Sequence, residues 1–175
     1  MSRLKPIEDN IAWRAAPKAI EVILVVTCAL TVLLAGAAAA MRYVFKIDLF
    51  GIEEWLTLIT MWLYFLGATY GSYEESHIKG DILNLVIKTK KQKKIHQIYV
   101  YLYSSVVLVI WGKWALDYVI RCLGTGQRTP GWHFPLWTSQ TAVSVGILGM
   151  LFYSVYHLIR TVVRSPERLY PEGVE

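Results

Sequence analysis

Residues Arg42 to Asp81 read RYVFKIDLFGIEEWLTLITMWLYFLGATYGSYEESHIKGD. Charges stand at both ends of this stretch, and between them runs an apolar segment from Gly51 to Tyr73. A soluble helix would interleave polar positions at its 3.6-residue period. Here the apolar run is nearly continuous over about 20 residues, the length that crosses a hydrocarbon core of roughly 30 Å. The stretch therefore reads as a membrane span with charged collars.

Working outward, the same reading finds three further spans, at 19–41, 95–120 and 137–158. The expected fold is an all-α integral membrane protein with four transmembrane helices in a single membrane domain, residues 1–175. Lysines and arginines alternate in density between the spans: four in the head, two in the first connection, six in the middle one, two in the third and three in the tail. Positive charge favours the cytoplasmic side, so this alternation predicts both termini cytoplasmic (N-in, C-in). Within the middle connection, residues 80–88 (GDILNLVIK) alternate charge with aliphatics, as expected of a short amphipathic helix on the membrane surface. In the head, Pro6 and Pro17 flank a short piece, DNIAWRAA, that suits an interfacial helical turn with Trp13 at headgroup level. Trp13, Trp55, Trp132 and Trp137 fall where aromatic residues anchor spans at the interface.

The first apolar run ends in AGAAAAM, small residues of the kind found at signal cleavage sites. Its length of roughly 22 residues exceeds the about 7–15 of a signal core, so it is read as a retained span. The basic balance does not point to nucleic acid, because the cations sit in loops and the aromatics lie inside apolar segments. Two cysteines, Cys28 and Cys122, fall at different depths and suggest no disulfide framework.

Along the second span, Glu53, Thr57, Thr60, Tyr64, Gly67, Gly71 and Glu74 recur at steps of four and three and share one face. Gly67 and Gly71 form a GxxxG pair that lets another helix approach closely. Two readings of this face stand side by side: packing among the chain's own spans, or a docking surface for another protein. Glu53 and Glu54 suit the positive end of the helix dipole. With Arg42, Lys46 and Asp48 nearby, they also suit a polar contact that sets register with a partner.

Elsewhere, ionisable groups lie near span ends: Glu21, and the Lys113–Asp117 pair at i,i+4 spacing. An intramembrane charge is a functional hypothesis by default, and a small antiporter built on Glu21 is one alternative. A haem-bearing electron-transfer subunit using His96 and His157 is another. No span has proline in its middle, and neither half resembles the other, unlike the broken, repeated helices of complete secondary transporters. No catalytic, phosphate-binding or metal signature is present, so no enzyme activity and no bound cofactor are expected.

The run RYVF, D, GIEEW, then W-x-YFLGATYG, E and HIKGD leading into DILNLVI, resembles the small permease (DctQ-like) subunit of tripartite ATP-independent periplasmic (TRAP) transporters. The acidic pair Glu53–Glu54, Trp62 with Phe65–Ala68, and the turn from His77 to Asp81 carry the likeness. Tyr73 and Glu74 depart from it, since a small or basic residue is expected there. The resemblance implies a non-catalytic subunit of the bacterial inner membrane whose partners are a large multi-span permease, a periplasmic substrate-binding protein and membrane lipid. Substrate and sodium sites would lie in the large subunit, and the cargo would be an organic anion such as a dicarboxylate, sialic acid, keto acid or sulfonate. The residues then expected at the partner interface are Arg42, Asp48, Glu53, Glu54, Thr57, Thr60, Tyr64, Gly67, Gly71, His77 and Asp81.

Overall fold

The computed structural model describes residues 11–47, 49–74 and 89–163. Among them there are four α-helices and no strand: α1 (Ile11–Tyr43), α2 (Ile52–Tyr73), α3 (Lys90–Thr125) and α4 (Trp137–Val163). The expected surface helix at 80–88 falls outside the described residues, as do Asp48, His77, Asp81 and the side chain of Trp13.

Two helices, Ala15–Tyr43 within α1 and Trp137–Val163, are long and apolar enough to cross a membrane. The other two carry more Tyr and Trp, and α3 also carries Lys90, Lys91, Lys93, Lys94 and Lys113, which lowers their hydropathy without interrupting the helix. At 1.5 Å per residue, α1 is about 50 Å long and α3 about 54 Å. Both exceed the spans expected from hydropathy, because the polar ends of the chain continue the helical hydrogen-bond ladder past the apolar run.

Of the head, the described residues from Ile11 are helical, and Pro17 does not bound them; α1 starts at Ile11 and continues through that proline. A proline costs the helix its own N–H bond, and at the seventh residue of α1 that loss leaves the following ladder intact. α4 likewise runs past Leu158 to Val163, with Arg160 in its last turn, where a cation complements the helix dipole.

The helices pack as a row. α1 lies on α2, α2 on α4, and α4 on α3. The α1–α2 and α3–α4 connections meet at one end, where Trp132 Nε1 donates to the Phe50 carbonyl at 3.3 Å. At the other end, Lys94 Nζ donates to the Val162 carbonyl at 3.1 Å, occupying one of the acceptors that a helix C-terminus leaves open.

Close packing centres on α4. A Cβ on Gly146 would stand 2.5 Å from Phe65 Cβ and 2.8 Å from the Phe65 carbonyl oxygen, and one on Gly149 would stand 2.6 Å from Thr69 Cγ2. Only glycine admits α2 this closely. Thr69 uses the proximity: its hydroxyl lies 3.1 Å from the Gly146 carbonyl oxygen and 3.0 Å from that of Phe65. On the opposite flank, Ser105 and Ser154 hydroxyls join α3 to α4 at 3.0 Å, and Ser105 donates to the Tyr101 carbonyl at 2.8 Å. Small and hydroxylated residues make the closest of these contacts, with Ile147 buried against Gly112 beside them, as expected where lipid removes the hydrophobic drive between helices.

Candidate functional site

The most elaborate polar arrangement lies at the connection end, where α2 begins. Gly51 holds the N-cap with φ 75°, a left-handed conformation that suits glycine. The indole of Trp132 covers it so closely that no Cβ fits. One turn on, the Glu54 carboxylate collects three donors from the α3–α4 connection. Its Oε2 accepts from the Thr129 hydroxyl at 2.6 Å and the Trp132 amide at 2.8 Å, and its Oε1 accepts from the Gly131 amide at 2.6 Å.

Those donors are presented by a folded loop. Thr129 N donates to the Phe134 carbonyl at 2.9 Å, the Phe134 amide donates to Thr129 Oγ1 at 3.0 Å, and Leu136 N donates to the Gln127 carbonyl at 3.0 Å. His133 makes the turn with φ 54°. Gly131 is required here for a second reason: a Cβ would come 2.8 Å from Glu54 Oε1. Charge-assisted bonds of this length are the strong kind. Trp55 adds an edge-on contact with Phe134, ring centroids 4.7 Å apart. The loop is thereby clamped onto the start of α2.

Glu53, one residue earlier, has a different role. Its carboxylate meets Arg42 Nη2 at 3.4 Å, with side chains 77% and 53% exposed respectively. An exposed pair of this length contributes little to stability. The charged collar expected from the sequence thus divides into an intrachain clamp and an open ion pair.

The small-residue face of α2 divides as well. Thr57 and Tyr64 are exposed, Thr60 is half-buried, Gly67 looks toward Leu24 of α1 at an ordinary 3.7 Å, and Gly71 is buried. Gly67 therefore lies at the α1–α2 contact, although the tightest helix approach is on the opposite face of α2. The sequence reading missed Thr129, Gly131, Thr69, Gly146 and Gly149. Ala142, Gly146 and Gly149 carried the same four-and-three spacing on α4 that drew attention to Gly67 and Gly71. The donors to Glu54 carried no comparable signal, because two of the three are backbone amides.

Three expected interface tryptophans, Trp55, Trp132 and Trp137, gather near this end and remain partly exposed. At the other end His157 is buried, stacked on Tyr101 with centroids 5.8 Å apart and met edge-on by Tyr156. Tyr101 thus covers one face of its ring. Glu21, Lys113 and Asp117 are exposed on α1 and α3, and the cysteines are free, Cys28 exposed and Cys122 buried. Among the described residues no three His, Cys, Asp or Glu side chains gather as a metal site would need.

These features define a class, the small all-helical membrane proteins, with apolar helix surfaces turned outward. Within that class the chain belongs to the DctQ component family of the tripartite ATP-independent periplasmic transporters, whose family model matches residues 31–164. The match takes in everything from the middle of α1 to the end of α4, including the clamp. No curated protein matches the chain. DctQ proteins are transporter components, generally non-catalytic, and the family places this chain in the bacterial inner membrane.

Proposed function

We propose that this chain is the non-catalytic small membrane subunit of a TRAP-type secondary transporter. It crosses the inner membrane four times with both termini cytoplasmic and braces the stationary scaffold of a large permease. That permease would carry out sodium-coupled uptake of an organic acid anion delivered by a periplasmic binding protein. The observation that carries this reading is the surface of α1: none of its most apolar stretch is buried within the chain. A helix so exposed needs lipid or another protein against it. Exposed apolar side chains along α3, among them Leu102, Val106, Val109 and Trp114, extend the same argument to the far end of the row. The clamp supports a bracing role, since it fixes the connection end without using a mobile element.

The test is reconstitution. Proteoliposomes holding the large permease with this chain should take up the anion when sodium and the binding protein are supplied, and omission of this chain should abolish uptake. Uptake by this chain alone would overturn the proposal. Both termini, labelled with a membrane-impermeant reagent in oriented vesicles, should react only from the cytoplasmic side.

A further inference from the structure

Between α1, the start of α2 and the start of α4 lies a cleft of about 520 Å³, lined by Arg42, Glu53, Thr57, Thr138 and Ser139 together with the clamped loop. A second, apolar cleft of about 360 Å³ shares Leu49 and Phe50 as a common wall and is completed by Leu34, Ile52, Trp55 and Trp132. Charges of both signs thus adjoin an aromatic, aliphatic recess.

The hydroxyls of the polar cleft are one-sided in their hydrogen bonds. The Thr57 hydroxyl donates to the Glu53 carbonyl at 2.8 Å, that of Thr138 to the Pro135 carbonyl at 2.7 Å, and that of Ser139 to the Leu136 carbonyl at 3.0 Å. Thr129 spends its proton on Glu54. Each hydroxyl has therefore committed its single O–H to the protein and offers only lone pairs to a ligand. The Glu53 carboxylate, 77% exposed, adds an accepting negative charge, while Arg42 supplies a cation 3.4 Å from it. Such a wall suits a group rich in N–H donors and positively charged, attached to a second group that is anionic.

We infer that this pair of clefts is a binding site for an aminophospholipid of the phosphatidylethanolamine type. Its ammonium sits among Glu53, Thr57 and Ser139, its phosphate meets Arg42, and its glycerol and upper acyl chain lie over Leu49 and Phe50 toward Trp55. The chemistry separates this headgroup from its relatives. A choline headgroup keeps the charge but has no N–H to donate, and a glycerol headgroup has no cation for Glu53. The depth of the site rests on the proposed reading of α2 and α4 as membrane spans.

Native mass spectrometry on the complex of this chain with its large permease, delipidated in detergent and offered matched-chain lipids, tests the inference. Phosphatidylethanolamine should be retained at least about tenfold more tightly than phosphatidylcholine or phosphatidylglycerol, as befits charge-assisted bonds that the competitors lack. Glu53→Gln should erase the preference over phosphatidylcholine, and Arg42→Gln should weaken retention of all three. Both changes fall on exposed side chains, and an unchanged melting temperature verifies that the fold is kept. Equal retention of the three lipids by the unaltered protein would overturn the site. So would Glu53→Gln that releases the large permease while leaving lipid preference unchanged, since the cleft would then hold a cationic side chain of that partner. Lipid selectivity and co-purification are separate readouts, so failure here leaves the subunit assignment standing.

Discussion

The two faces of α2 make an instructive contrast. Toward α1, α2 supplies Gly67 itself, yet the neighbouring helix stands at ordinary van der Waals distance. Toward α4, α2 supplies Phe65 and Thr69, and the glycines belong to the other helix, where a single added carbon has no room. Close approach is a property of the pair. A small residue permits it only when the facing side chain fills the space, and Leu24 does not press on Gly67 as Phe65 presses on Gly146. A motif on one helix therefore marks a possible seam, and the matching motif on the neighbour decides where the seam forms.

Substitutions can break or sharpen that contrast. The largest effect is expected at Gly146. Gly146→Leu should yield little folded protein, and Gly146→Ala should cost about 1–3 kcal/mol, the usual penalty of overpacking, read from SDS or thermal unfolding in detergent. A Gly146→Ala protein with unchanged stability would show that α4 yields easily and that the contrast is one of degree.

Next comes the clamp on the α4-facing side. Glu54→Gln should raise hydrogen exchange at the Gly131 and Trp132 amides by about tenfold or more, because these donors lose an ionised acceptor. Glu53→Gln should leave both amides unaffected. Equal responses would mean that the two glutamates share the work.

Thr69→Val keeps the shape of the side chain and removes the bond to the Gly146 carbonyl. Hydrogen bonds between membrane helices average about 0.6 kcal/mol and reach about 1.7, so a loss within that range is expected in the same unfolding assay. The smallest effect belongs to Gly67. Gly67→Ala meets only Leu24, and alanine favours a helix over glycine by roughly 0.8–1.0 kcal/mol; the variant should be neutral to slightly more stable. A loss as large as that of Gly146→Ala would remove the distinction between the faces.

Much of the helical plan was legible because it depends on long-range composition. An uninterrupted apolar run states its own environment, and the four helices lie over the four runs read from the sequence. Helix ends were harder. Pro17 looked like a boundary, since proline usually stops a helix, but in the second turn it removes one bond from a ladder that the following apolar run sustains. The clamp was half legible. Two adjacent glutamates differ by about 100° of helix rotation, and that angle alone sends Glu54 to the loop and Glu53 to Arg42. Nothing in the pair's own residues distinguishes them. The answer lies in the α3–α4 connection, where two of the three donors are backbone amides that no residue type marks.

The clamp also has a consequence for how the chain is made. Glu54 leaves the ribosome 75 to 78 residues ahead of Thr129, Gly131 and Trp132. Throughout synthesis of α3 its carboxylate has none of its final donors, and α2 cannot be fixed in register with α4 until that loop has been translated and has crossed to meet it. The tightest polar contact at this end is thus among the last to form. A chain truncated before Thr129 lacks all three of these donors.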